Sequence, residues 1–166
     1  MKKDIDIDDV VEDLLKKHTG GQKFFTALDR RVKRKNFFLR LYDKMSSDAT
    51  DNHFIDGDET LVVSGKFGEA FAAWAGDWYG QILLVPGGLR GKRELNLSAY
   101  RHRIEGTRFV FLDDSYYSGK TARAIINEIA RLGGMVVRVY VIYDGGKQAY
   151  PLVKSLYRYY DKKVKQ

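Results

Sequence analysis

The sequence predicts an α/β domain with a mostly parallel sheet and helices on both faces. Three observations carry that reading. Short apolar runs alternate with amphipathic helical patterns from Leu61 to Ile142. The runs Leu61–Ser64, Gln81–Val85 and Phe109–Leu112 are almost wholly apolar, as strands buried on both faces must be. Each run ends in a turn rich in glycine or hydroxyls, and two of those turns lead directly into a helical pattern. The 166 residues are enough for one such domain with a sizeable core. We read residues 1–166 as a single domain, with a helical N-terminal cover over 1–50, an α/β core over 60–145 and a C-terminal helix over 147–166.

Composition narrows the chemistry. The chain has no cysteine, so it has no disulfide framework, thiolate metal site or cysteine nucleophile. This fits a reducing cytoplasm. No apolar run approaches the length of a membrane helix, and the N-terminus lacks the apolar segment of a secretory signal. The net charge of +7 favours anionic partners. It does not distinguish a nucleic acid from a phosphorylated small molecule or from a solvated basic surface. His18, His53 and His102 show no metal-ligand spacing and read as structural.

The elements follow in order. Asp8–His18 is a helix with acidic residues at its start, lysines at its end and Val10, Val11, Leu14 and Leu15 on one face. Gln22–Arg34 is a second helical pattern, with Phe25, Leu28 and Val32 opposite a basic side from Arg30 to Lys35. Phe37, Phe38, Leu41 and Met45 mark a third, and the polar stretch from Ser46 to Glu59 is a connection. Strand Leu61–Ser64 meets the turn Gly65-Lys66-Phe67-Gly68, and a helix runs from Glu69 to Ala75. After strand Gln81–Val85, Pro86-Gly87-Gly88 opens a loop carrying Arg90, Lys92 and Arg93. Leu97–Ile104 alternates loosely and reads as a strand. Helix Thr121–Leu132 buries Ala122, Ile125, Ile126, Ile129 and Leu132 and stops at Gly133-Gly134. Strand Val136–Ile142 is capped by Tyr143-Asp144-Gly145-Gly146, and Tyr150–Lys163 reads as a helix packed through Leu152, Val153, Leu156 and Tyr160.

Phe109-Val-Phe-Leu-Asp113-Asp114-Ser-Tyr-Tyr117-Ser118-Gly119-Lys120-Thr121 is the stretch that carries chemistry. A strand, a polar turn and a helix start make an anion site, because the first helical N–H groups lack partners and the helix dipole adds positive charge. A phosphate cradle alone would avoid the two carboxylates. A ligand with a phosphate at one end and a diol or magnesium ion nearby accounts for both features. Ser115, Tyr116, Tyr117, Ser118, Gly119, Lys120 and Thr121 would then hold the phosphate, and Asp113 and Asp114 the hydroxyls. A P-loop is the rival reading, but it needs glycine five positions before Gly119, where Asp114 stands. Plain capping by Asp114 or Ser118 leaves the second aspartate unexplained.

At these residues the chain resembles the type I phosphoribosyltransferases, whose signature is a hydrophobic strand, two acidic residues, a variable pair and a hydroxyl-rich turn with glycine. The first position of that turn, a small residue or Asp in the family, is Tyr117 here. The resemblance spans about Leu61 to Asp144 and implies the fold already read. It also implies roles. Asp113 and Asp114 bind the ribose hydroxyls of phosphoribosyl pyrophosphate, and the turn binds its 5-phosphate. Ser64, Gly65 and Lys66 form the pyrophosphate loop, where the family often carries a strained, non-proline cis peptide bond. Arg90, Lys92 and Arg93 belong to a mobile loop that meets the leaving pyrophosphate. Tyr143 and Asp144 lie near the base or pyrophosphate. Residues 1–50 supply part of the hood over the base. The implied reaction is magnesium-assisted transfer of ribosyl 5-phosphate to a nucleobase, in a protein that a homodimer would suit. The acceptor base is not readable from the sequence: the N-terminal helical cover and basic mobile loop resemble the orotate-type members, and Gly119-Lys120-Thr121 after the acidic pair resembles the purine-salvage members. A regulator of the same fold, binding phosphoribosyl pyrophosphate or a nucleotide without turnover and binding nucleic acid, fits the basic helix at Arg30–Lys35, the basic tail and Tyr117.

Overall fold

A computed structural model of the chain describes residues 7–17, 27, 30, 40, 43–45, 47–48, 59–75, 81–85, 95–116, 118–146 and 150–158. Helix α1 spans Ile7–Lys17. Strand β1 (Thr60–Ser64) runs into α2 (Gly65–Ala75), and β2 (Ile82–Val85) follows. A 3₁₀ turn (Ser98–Tyr100) leads into the single-turn helix α3 (Arg101–Ile104). Then come β3 (Arg108–Tyr116), α4 (Lys120–Arg131), β4 (Met135–Asp144) and β5 (Val153–Arg158).

The five strands form one sheet in the order β2-β1-β3-β4-β5, and every adjacent pair is parallel. The chain leaves β1 toward β2 on one side and returns to β3 on the other, so the winding reverses between β1 and β3. Ligands of open α/β sheets bind at such a switch, beyond the carboxyl ends of the strands.

Alternation along the central strands divides the core in two. Leu61, Val63, Val110, Leu112, Tyr140 and Ile142 pack under α2 with Phe67 and Phe71, and Leu14 of α1 joins them. Val62, Phe109, Phe111, Val139 and Val141 pack against Ile125 and Ile129 of α4, with Ile104 of α3. Burying each such side chain contributes roughly 1.5–3 kcal/mol, so both helices are held by their apolar faces. The helices thus lie on both faces, as the alternation of runs predicts. Gly68 lets α2 close on β1, since a Cβ there would stand 2.9 Å from the Val63 carbonyl carbon.

The N-terminal segment meets the sheet through polar contacts as well. Asp8 accepts from Lys44 Nζ at 2.5 Å and from Tyr157 Oη at 2.6 Å, while the Tyr140 hydroxyl donates to Asp48. Met45 is buried in the core under α2. The remainder of the expected second and third helices and of the 46–59 connection lies outside the described residues, apart from single positions.

Four expectations are corrected. The strand read as Phe109–Leu112 continues to Tyr116, because β4 keeps offering partners through the pairs Asp113–Val141, Ser115–Tyr143 and Tyr116–Asp144. Backbone pairing prolongs the strand although its side chains have turned polar. For the same reason Tyr143 and Asp144 end β4 instead of lying beyond it. Leu97–Ile104 is helical, not a strand. Its buried ends, Leu97 and Ile104, are seven residues apart, two helical turns, and local bonds such as Tyr100 N–H to Leu97 O at 2.8 Å satisfy its backbone. The expected C-terminal helix is, over Val153–Arg158, a fifth strand. The spacing of Val153 and Leu156 fits a helix, but the open edge of β4 needs partners, and Val139 N–H donates to Leu152 O at 2.8 Å where the pairing starts. Tyr160 and the rest of the tail lie outside the described residues. So do Arg90, Lys92 and Arg93.

Candidate functional site

β3 delivers the acidic pair to the switch point. Val63 of β1 pairs with Leu112, so β1 ends at Ser64 just as β3 reaches Asp113. Asp113 lines the cavity on the α4 face with Phe111, and the side chain of Asp114 stays within hydrogen-bond reach of Asp113. Ser115 Oγ donates to Asp114 Oδ1 at 3.2 Å, and Asp114 N–H donates to Asp113 Oδ1 at 2.9 Å.

A cavity of about 140 Å³ opens beside Asp113. Ser115, Tyr116, Ser118, Gly119, Lys120 and Thr121 line it, above a floor of Phe111, Ala122 and Val141. Six of the seven residues read as the phosphate loop therefore meet around one space with the first aspartate. Tyr117 lies outside the described residues. Asp114 does not appear in the lining.

The helix start at this cavity is open to an anion. Gly119 is the N-cap at φ 71° and has no side chain to cap with. The contact from Lys120 N–H to Ser118 Oγ is long, at 3.5 Å. First-turn N–H groups therefore keep capacity for another acceptor, beside the positive end of the dipole. Gly119 is required twice over, by its left-handed backbone and by space, since a Cβ there would stand 2.5 Å from Tyr116 Oη. Tyr116 is buried under the loop with its ring 5.7 Å from that of Tyr150. Burial raises the proton affinity of its hydroxyl; Tyr150 and Asp144 add to the rise, and Arg123 opposes it. The phenol stays neutral at physiological pH.

Asp113 is held well above the usual carboxylate range, first by burial and then by the charge of Asp114, with the Asp114 N–H bond opposing. A proton, a pair of sugar hydroxyls or a cation relieves such a site. Among the described residues no group of three or more potential metal ligands forms a cluster.

At the end of β1, Ser64 is buried and Gly65 adopts φ 62° as the first residue of α2. The expected pyrophosphate loop is thus the first turn of a helix; every described peptide bond is trans, and the Lys66 side chain lies outside the described set. Tyr143 and Asp144 sit at the end of β4 but are buried, and neither lines the cavity. Asp144 Oδ1 accepts from Gly146 N–H at 2.9 Å. Sequence reading passed over Arg123. Its signal was a helix whose first turn has cations and no acid.

Solved structures give the fold its class. The chain aligns with adenine phosphoribosyltransferase from Thermoanaerobacter pseudethanolicus at 20% identity and a TM-score of 0.54, over 77% of this chain and 84% of that one. Orotate phosphoribosyltransferase from Aeropyrum pernix aligns at 16% identity and 0.55, over 83% and 82%. Adenine phosphoribosyltransferase from Saccharomyces cerevisiae, in complex with an imino-altritol bisphosphate and adenine, aligns at 16% and 0.56, over 76% and 82%. No family model matches the sequence, and no curated protein matches it. The chain has the fold of the type I phosphoribosyltransferases.

Proposed function

We propose that this chain transfers ribosyl 5-phosphate from phosphoribosyl pyrophosphate to a nitrogenous base. The C1–oxygen bond to pyrophosphate breaks, a C1–nitrogen bond forms, and the base gives up its N–H proton. The observation that carries this reading is the cavity at the end of β3, where a carboxylate and an open helix start face the same space. The three neighbours in fold described above support it, since they are phosphoribosyltransferases for adenine or orotate.

Each residue then has a role. The N–H groups at Lys120 and Thr121, with Ser118 and the Lys120 ammonium, take the 5-phosphate. Asp113 and Asp114, side by side, accept from the two ribose hydroxyls. Holding both ends of the sugar fixes C1 before reaction. As positive charge develops on the ring, the two carboxylates stabilise it. Ser64, Gly65 and Lys66, across the switch point, face the leaving pyrophosphate, and Arg90, Lys92 and Arg93 close over it. Tyr143 and Asp144 support the wall nearest the base.

Magnesium fits the donor set only in part. Asp113 and Asp114 offer hard oxygens, and a cation relieves the raised proton affinity of Asp113. Asp113 and Asp114 would hold the ion, and it would supply charge neutralisation for the leaving pyrophosphate.

The test is pyrophosphate release from phosphoribosyl pyrophosphate with magnesium, against adenine, orotate, hypoxanthine, guanine, xanthine and uracil. Release that depends on one base establishes the transferase and names its acceptor. Saturable binding without release from any base points to the regulator or to an acceptor outside this panel. No binding overturns the site.

A further inference from the structure

We propose that Arg123 is a side-chain ligand of the sugar 5-phosphate, reaching back from the first turn of α4 over the loop. This rests on the transferase reading of the cavity. It adds a residue that the loop motif itself does not contain.

Position comes first. Arg123 N–H donates to Gly119 O at 2.9 Å, so the residue sits one turn above the left-handed cap. Its side chain is exposed but turns back toward the helix start. Nη1 lies 3.2 Å from the point that a Gly119 Cβ would occupy. The guanidinium is therefore folded back toward the cap beside Gly119, which lines the cavity, although Arg123 is not itself a lining residue.

Its partners come second. The other arginines near α4 and the sheet are engaged. Arg131 bonds Glu128 at 2.7 Å, Arg138 bonds Glu59 at 2.9 Å, and Arg103 donates to Ile82 O at 2.9 Å. Arg123 has no hydrogen-bond acceptor and no ion pair among the described residues. Its neighbour is the Tyr116 hydroxyl, whose proton affinity it lowers. That hydroxyl is also against Gly119, 2.5 Å from the same Cβ point, so Tyr116 props the loop and the guanidinium together.

The charge pattern gives the reason. The first turn of α4 carries Lys120 and no acid, and Arg123 folds its charge back over the same helix end. Cations are disfavoured at that end of a helix, and anions are favoured there. Two positive charges held at a positive dipole end are unfavourable until an anion arrives. A phosphate dianion offsets both, and a guanidinium can hold it by two parallel N–H bonds.

The experiment is titration calorimetry of ribose 5-phosphate, across pH 5 to 8, with wild type, Arg123→Gln and Arg123→Lys, and with melting temperatures for each. Arg123 is exposed, so its variants are expected to fold. A lost charge-assisted contact predicts roughly tenfold to hundredfold weaker binding in Arg123→Gln. Arg123→Lys is expected to fall between the two. Wild-type affinity should rise as the phosphate takes its second charge near pH 6, and the rise should be shallower in Arg123→Gln. The unliganded Arg123→Gln protein should melt no lower than wild type. Equal affinity and equal pH slope in wild type and Arg123→Gln overturn the inference and leave the transferase reading standing. A wild type that does not bind ribose 5-phosphate overturns that reading, and the inference with it.

Discussion

Gly119 and Asp113 line the same cavity, and they carry opposite costs. At Gly119, a φ of 71° and a Cβ position 2.5 Å from Tyr116 Oη both exclude a side chain. Gly119→Ala therefore costs about 1–2 kcal/mol for the left-handed backbone, plus the clash. Denaturant melts will show this, and adding Tyr116→Phe will not restore it, because Tyr116 Cζ remains 2.9 Å away. Asp113 strains the fold instead. Its folded-state pKa lies above its unfolded value, so its contribution to stability is greatest in acid and fades as pH rises through the raised value. Asp113→Asn removes that loss. The unliganded variant should melt higher than wild type at neutral pH, with a flatter dependence above the ordinary aspartate range, and should lose affinity for ribose 5-phosphate. A melting temperature that falls at neutral pH would show that the carboxylate is structurally required. The signature from Asp113 to Thr121 was legible in the sequence because it is local, a run of residues whose spacing carries its chemistry. The position of Arg123 beside Gly119 was not legible, because it depends on which way a long side chain folds.

Among the elements, α4 is the one that must not move, since its first turn is one wall of the cavity. Its C-terminal half is anchored by Glu128. The carboxylate accepts from Leu97 N–H at 2.7 Å and from Arg131, whose charge holds its pKa below the usual range. Arg131 also donates to Ser98 Oγ at 2.9 Å, which ties α4 to the turn before α3. Glu128→Ala strands the Leu97 N–H and should destabilise the fold by about 1–3 kcal/mol. Thermal melts measure that loss. Ribose 5-phosphate affinity at a temperature where the variant is folded reads whether the anchor also sets the loop. Helices α2 and α4 were legible because apolar residues recur at helical spacing on one side. The segments at 97–104 and 153–158 were misread for complementary reasons. The first is short and mixed, and its period shows only once Leu97 and Ile104 are seen buried together. The second has a sequence that suits either state, and the unpaired edge of β4 decided it.

For the whole molecule, the two ends of the sheet do different work. The carboxyl ends hold the cavity, while the amino ends of β1, β3 and β4 are joined by charge. Glu59, with a side chain only 3% exposed, receives Arg138 Nη1 at 2.9 Å on both oxygens and has Arg108 at 3.8 Å. Arg138→Met leaves that carboxylate buried without its main cation and should cost about 3–5 kcal/mol. Because the pair lies at the opposite end of the strands, ribose 5-phosphate affinity of the folded variant should stay at the wild-type value. A change would mean that the sheet couples its two ends. By itself the sequence determined the α/β class, the buried strands and the acidic, hydroxyl-rich turn, because burial on both faces and turn chemistry are written in neighbouring residues. Only the tertiary structure decided that β3 and β4 run on together past the acidic pair, that Val153–Arg158 adds a fifth strand, and that Arg123 folds back toward Gly119. Those outcomes depend on which backbone edges lack partners and on which side chains meet across the sheet, and both are settled between elements distant in the chain.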